Sequence, residues 1–285
     1  MGPNPTAPLS SEALPPGFCV ISGAGRAWWI LRRNSPLQGD TGLWEEWIRG
    51  ADGNLLDVPG GRGPVHLLNP KGAGPAVLRP YRHGGMLGPL LGNRFLGAQR
   101  FLSEIRVSEV IRLAGVATPE ILALYIRGAS RPIFRGWILT RHVPGSINLR
   151  QWVSGGLPGG DERGKVLRLT AQAVRSLHAV GCTHRDLNLS NLLLAPDRVF
   201  VLDLDGARLR SALTPRERCA NLLRLYRSLA KETGVVEPLS LRDRRAFLKV
   251  YACGNSELFR DLWRDLRSRW ALATLRRNLS RRRRR

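Results

Sequence analysis

Residues 184–191 read His-Arg-Asp-Leu-Asn-Leu-Ser-Asn, and a short run at 202–205 reads Leu-Asp-Leu-Asp. Asp186 can accept or orient the proton of a hydroxyl. Asn191, five residues on, offers an amide oxygen to a metal ion, and Asp203 offers a carboxylate. Moving a phosphoryl group from a nucleotide to an alcohol needs such groups. One positions the nucleophile, and hard oxygen ligands hold the cations that neutralise the phosphates. Asn188 and Asp205 lie in the same two segments and are candidates for holding the acceptor.

The surrounding sequence predicts the elements that position these groups. Val166, Leu169, Ala173, Val174 and Leu177 recur at helical spacing, and Gly181 is a natural stop for that helix. After the motif, residues 192–194 and 199–202 are short apolar runs separated by Ala195-Pro196-Asp197-Arg198, which predicts a hairpin. Asp186 and Asn191 then fall on a loop and Asp203 at the end of a strand. The order matches the H-R-D-L-x-x-x-N loop and D-F-G segment of protein kinases, with Leu204 in place of the usual Phe.

Upstream, Gly60-Gly61-Arg62-Gly63 precedes two predicted strands, residues 65–68 and 76–81, joined by a turn at 70–75. Gly60, Gly61 and Gly63 are candidates for cradling the phosphates through backbone N–H groups, because a side chain would block close approach. Arg79 is the candidate phosphate-binding cation on the second strand, with Lys71 in the turn a poorer one. Residues 102–113 predict a helix carrying Glu104 and Glu109, of which Glu104 is favoured to face Arg79 as an ion pair. Glu109 is expected on the solvated face. The strand at 136–140 leads into Pro144-Gly145, a candidate hinge, so the backbone at Thr140 and His142 would meet the adenine ring. The imidazoles of His142 and His178 are assigned no chemistry. Beyond the hinge the chain reads as mainly helical, with helices over 147–153, 163–180, 215–233, 240–252 and 256–279.

The 285-residue chain has an ordinary globular composition and a formal net charge of +23. Residues 1–60 hold four Arg against six acids, so the excess lies beyond them. Such an excess predicts an anionic partner: nucleic acid, anionic lipid or a phosphorylated glycan. No apolar run approaches the length of a membrane span, and residues 1–16 lack the basic and apolar regions of a secretory signal. Both features predict a cytoplasmic enzyme. Cys19, Cys182, Cys219 and Cys253 have no metal-ligand spacing and are expected to be buried free thiols.

Three stretches resemble the lipopolysaccharide core kinases, and among them most nearly the enzymes that act on 3-deoxy-D-manno-octulosonic acid (Kdo). The first is Val77-Leu78-Arg79-Pro80-Tyr81-Arg82-His83-Gly84-Gly85 with Leu90-Leu91-Gly92-Asn93-Arg94-Phe95-Leu96. The second is the loop from His184 to Leu194. The third is Asn221-Leu222-Leu223-Arg224-Leu225-Tyr226-Arg227-Ser228-Leu229. The first 55 residues and the Arg281–Arg285 tail lie outside the resemblance, which spans roughly residues 58–252.

The resemblance implies an α+β, bilobal, protein-kinase-like fold with an antiparallel-sheet N-lobe over residues 17–143 and a helical C-lobe over 144–279. A flexible arm (1–16) and a basic tail (280–285) flank them. It implies ATP and Mg²⁺ as cofactors, with Asp186 catalytic and Asn191 and Asp203 on the metal. The implied acceptor is lipid A–Kdo at the inner face of the bacterial inner membrane, with an anionic membrane surface as peripheral partner. Arg82, Arg94 and Arg100 in the first stretch are candidates for binding that anionic acceptor. Another core sugar such as heptose, or a small-molecule or protein hydroxyl, is the alternative acceptor. A pseudokinase would have lost Asp186, Asn191 or Asp203, and all three are present. No recognisable RNA- or DNA-binding motif occurs, so nucleic acid is not expected as a partner. The C-terminal segment carries Leu258, Phe259, Leu262, Trp263, Leu266, Trp270 and Leu275 on one face. It predicts a helix docked on the C-lobe or, as the lesser alternative, one lying in a membrane interface.

Overall fold

The computed structural model describes residues 14–22, 27–33, 35–39, 47, 65–83, 92–130, 132–154, 156–233 and 238–282. The glycine loop at 60–63, the part of the first family-like stretch at 84–91 and the last three arginines lie outside the described residues. The chain divides into two compact units, Met1–Val110 with Pro119–Val143, and Ile111–Thr118 with Pro144–Arg285.

Among the described residues of the first unit, seven strands form one antiparallel sheet. They are β1 (Phe18–Ser22), β2 (Ala27–Arg32), β3 (His66–Leu68), β4 (Ala76–Pro80), β5 (Phe95–Leu96), β6 (Ile121–Ser130) and β7 (Ile133–Arg141). The order is β1-β2-β6-β7-β4-β3, with β5 paired to β7. Helix α1 (Gln99–Leu113) packs Phe101, Leu102 and Ile105 against Tyr81, Leu124, Ile126 and Ile138. The opposite face of the sheet buries Trp29, Leu31, Leu78, Tyr125 and Leu139 under Leu37 and Ala73.

Glu109 departs from its expected solvated position. It is buried, and both its oxygens accept from Arg32, at 3.2 and 2.8 Å. Arg32 also bridges to Glu120 at 3.1 Å. The compensating cation comes from β2, in a part of the chain whose strands the sequence locates only loosely. A buried carboxylate is tolerated when such a partner and its hydrogen bonds are supplied.

The second unit contains β8 (Ile147–Asn148), α2 (Leu149–Ser154), α3 (Gly160–Ala179), β9 (Cys182–Thr183), a 3₁₀ turn at Leu189–Asn191, β10 (Leu192–Leu194), β11 (Val199–Val201) and β12 (Arg208–Leu209). Three helices follow: α4 (Pro215–Glu232), α5 (Leu241–Ala252) and α6 (Ser256–Arg282). Reciprocal capping boxes start α4, from Thr214 and Glu217, and α5, from Ser240 and Asp243. Gly181 ends α3 at φ 72°, and a Cβ there would collide with the carbonyl of Arg210.

The apolar face of α6 docks on the unit through three residues, while Leu258, Phe259 and Trp263 stay half-buried. Leu262, Leu266 and Trp270 are buried, and the Trp270 ring lies 5.5 Å from Tyr226. The guanidinium of Arg244 sits 5.0 Å from both rings. No helix among the described residues is long and apolar enough to cross a membrane. Cys182 and Cys219 are buried, and burial raises their thiols to about 12 and about 11. Cys253, contrary to expectation, is exposed, because it occupies the left-handed C-cap of α5 at φ 48°.

Candidate active site

The loop after β9 is fixed from its own buried histidine. His184 Nδ1 accepts from the backbone N–H of Asp186 at 3.0 Å, and Nε2 donates to the carbonyl of Leu202 at 2.8 Å. One ring nitrogen accepts and the other donates, so the geometry calls for the neutral tautomer with its proton on Nε2. Asn191 Nδ2 donates to the carbonyl of Asp186 at 2.8 Å. The carbonyl of Asn191 in turn accepts from Leu202 N–H at 2.9 Å. Leu202 is thus held by both His184 and Asn191, and Asp203 is the next residue. The hairpin of β10 and β11, three residue pairs long, sets this register.

Asp203 has φ 57°, in the left-handed region that few non-glycine residues adopt, Asp among the more tolerant. Gly206 follows at φ 73°, and a Cβ there would lie 2.8 Å from Cδ of Arg185. The turn after β11 therefore requires glycine for backbone and for space. Asn188 caps the 3₁₀ turn, its Oδ1 accepting from the N–H groups of Ser190 and Asn191 at 2.9 and 3.1 Å. Asp205 is half-buried in the turn beside Gly206.

Helix α4 supports the loop from below with three side chains at i, i+3 and i+7, one helix face. Asn221 Oδ1 accepts from His184 N–H at 3.0 Å, and its Nδ2 donates to the His184 carbonyl at 3.2 Å. Arg224 donates to the carbonyl of Arg185. Ser228 Oγ accepts from Leu189 N–H at 3.2 Å. Chemistry-bearing residue types do not reveal this support. The signal is the third family-like stretch, which contains all three residues.

Behind Asn221 lies a buried polar chain. His178 Nε2 faces the same Oδ1 at 3.2 Å, and its Nδ1 faces the Tyr251 hydroxyl at 2.7 Å. Arg218 donates to that hydroxyl at 3.1 Å. Burial lowers the His178 pKa to about 4, the nearby Arg218 and His184 adding to the effect and the Asn221 bond opposing it. Since Oδ1 can only accept, neutral His178 donates from Nε2 and accepts the tyrosine proton at Nδ1. Burial likewise raises the pKa of Tyr251.

In the first unit, Arg79 on β4 forms an ion pair with the buried Glu104 of α1 at 2.9 Å. The Arg79 guanidinium also lies over the Tyr81 ring at 5.3 Å. Lys71 is exposed in the turn before β4. Thr140 lies on β7 opposite Val77 and Ile121, and His142 N–H donates to the carbonyl of Pro75 at 3.0 Å. Arg82 and Arg94 are exposed, whereas Arg100 stacks its guanidinium over Phe95 at 4.8 Å. His83 stacks on the same ring at 4.2 Å and reaches the Arg94 carbonyl at 2.7 Å.

The profile of the Lipopolysaccharide kinase (Kdo/WaaP) family matches residues 51–251. The chain belongs to this family. Two relatives agree with it. The 3-deoxy-D-manno-octulosonic acid kinase of Xanthomonas campestris pv. campestris (strain B100) is 30% identical over 231 residues, 79% of this chain and 88% of the relative. The enzyme of the same name from Xylella fastidiosa (strain M12) is 33% identical over 182 residues, 61% of this chain and 69% of the relative. Among solved structures, that of WaaP in complex with acyl carrier protein overlays 78% of this chain and 91% of its own at 22% identity, with a TM-score of 0.49. This lipopolysaccharide kinase is a phosphotransferase acting on a hydroxyl of a glycolipid, and its membership implies ATP as the phosphoryl donor.

Proposed function

We propose that this lipopolysaccharide kinase phosphorylates a hydroxyl of Kdo in lipid A–Kdo, with Asp186 orienting the acceptor hydroxyl and receiving its proton. The observation that carries the chemistry is the clamped loop. His184, Asn191 and Leu202 fix the backbone on both sides of Asp186 and deliver Asp203 to the same end of the hairpin. The choice of Kdo follows the two relatives of that name.

The donor set suits Mg²⁺. Asn191 commits its amide nitrogen to Asp186, which leaves Oδ1 as a hard oxygen donor, and Asp203 contributes a carboxylate. Mg²⁺ is characteristically held by one or two carboxylates together with substrate phosphates and water. When bound, it supplies charge neutralisation across the phosphates. Arg79, steadied by Glu104, contacts the ATP phosphates in this reading, and the backbone at Gly60, Gly61 and Gly63 covers them. The Thr140–His142 backbone meets the adenine. Arg82, Arg94 and Arg100 bind anionic groups of the acceptor, with Asn188 and Asp205 near its sugar.

The enzyme works as a peripheral protein on the inner face of the inner membrane. Its net charge of +23 and its C-terminal arginines supply the attraction. Leu262, Leu266 and Trp270 of α6 are committed to the protein's own core, and charge is the main attraction to lipid in this reading. Incubating the purified protein with radiolabelled ATP and lipid A–Kdo, heptosylated core, casein or RNA tests the assignment. Label should enter lipid A–Kdo, and label in heptose alone would transfer the activity to another core sugar.

A further inference from the structure

Helix α4 turns a second face to solvent. Arg216, Ala220, Arg224, Arg227 and Lys231 are all exposed. At 100° per residue they fall within about 80° of one another, and at 1.5 Å per residue the stripe runs about 22 Å. Four of the five are cationic. Among the described residues, none of the four is ion-paired to a carboxylate, whereas the neighbouring Arg210 is bound to Glu217 at 2.9 Å. Like charges at such spacing repel, a cost that an anionic ligand relieves.

Position distinguishes this stripe from the other basic surfaces of the chain. Arg224 lies on its border with the face that carries Asn221 and Ser228, and it reaches the carbonyl of Arg185, the residue before Asp186. Arg185 and Arg208 add exposed guanidinium groups where the loop meets β12. A polyanion whose reacting hydroxyl sits at Asp186 can therefore lay further charges along α4 without leaving the surface.

We infer that the stripe Arg216–Arg224–Arg227–Lys231 binds the phosphate groups the acceptor glycolipid carries apart from the sugar being phosphorylated. This rests on the acceptor proposed above. Guanidinium groups meet phosphate oxygens in bidentate fashion, so a row of them grips a phosphorylated glycolipid better than a neutral one.

The test compares two triple variants of the full chain on detergent-solubilised lipid A–Kdo with and without its lipid A phosphates. One removes stripe charge (Arg216→Gln, Arg227→Gln, Lys231→Gln). The other removes equal charge elsewhere (Arg168→Gln, Arg242→Gln, Lys249→Gln). The stripe variant should raise the KM for the phosphorylated acceptor about tenfold at low salt, with kcat and the KM for ATP little changed. High salt should shrink the difference, and the dephosphorylated acceptor should abolish it. An equal rise in the control variant would reduce the effect to bulk charge and overturn the inference. So would a defect that persists on the dephosphorylated acceptor. A loss of liposome pelleting with an unchanged KM would make the stripe a membrane contact instead. No transfer by the wild type to either acceptor, with transfer to another hydroxyl, would overturn the proposed function and the stripe's assignment with it.

Discussion

Acidification should destabilise the helical unit through His178. The histidine is fully buried and bonded as a neutral ring between Asn221 and Tyr251, and burial lowers its pKa to about 4. An unfolded histidine titrates near 6.5, so between these values the unfolded chain binds a proton that the folded one refuses. The stabilisation is therefore complete above about pH 6.5 and is lost as the pH falls toward 4. Linkage over that window gives a loss of about 2.5 kcal/mol between pH 7.5 and pH 4.5, a large share of an ordinary folding free energy. Urea unfolding at half-unit pH steps, for wild type and His178→Gln, isolates the term, since other titrations are common to both. The wild-type curve should fall more steeply by about that amount, while the variant starts lower at pH 7.5. Parallel curves would refute the reasoning and mean that the ring protonates in place or is not enclosed.

Three more outcomes are expected, two at the site and one at the tail. Asp186→Ala and Asp203→Ala should each lower kcat by about 10²–10³-fold or more with unfolding transitions near wild type, and an Asp203 variant retaining over about a tenth of turnover would remove it from the metal. Arg79→Ala should raise the KM for ATP and lower kcat, and unchanged ATP kinetics would place another cation on the phosphates. Deleting Arg281–Arg285 should weaken binding to anionic liposomes by a few kcal/mol at most, at about 1 kcal/mol per charge before screening, and spare turnover on detergent-solubilised acceptor. Equal pelleting of both proteins at low salt would show that the tail is not the anchor.

The sequence reveals elements whose burial is one-sided. Helices α3 to α6 carry apolar residues at helical spacing, capping boxes start α4 and α5, and left-handed residues follow α3 and α5. The β10–β11 hairpin is marked by its Ala-Pro-Asp-Arg turn. Strand β6 escapes such a reading because residues 121–126 are buried on both faces, which erases the alternation. Glu109 misleads for a related reason. A carboxylate on a helix looks solvated until a distant arginine, 77 positions away, is known to arrive. The supports of the loop from His184 to Asn191 are similarly nonlocal. Asn221 is 37 positions from His184, and Tyr251 is 73 from His178. Nothing in their types announces a role, and only a helix-face spacing inside a family-like stretch points to Asn221, Arg224 and Ser228.

The hairpin has a consequence for recognising such sites elsewhere. Asn191 and Asp203 are coupled at its open end, where Leu202 N–H meets the Asn191 carbonyl, while Pro196, Asp197 and Arg198 form an exposed tip. Residues added at the tip leave that coupling untouched, because the strands below it still pair in register. A single residue added within 192–194 or 199–201 turns every following side chain over and carries Asp203 to the wrong face. The number of residues separating the amide from the carboxylate is thus free to drift, whereas the pairing beneath them is not. A search built on fixed spacing would overlook relatives with longer tips, and one built on two paired strands bounded by Asn and Asp would find them. The same tip is where a reporter peptide could be inserted while turnover is preserved.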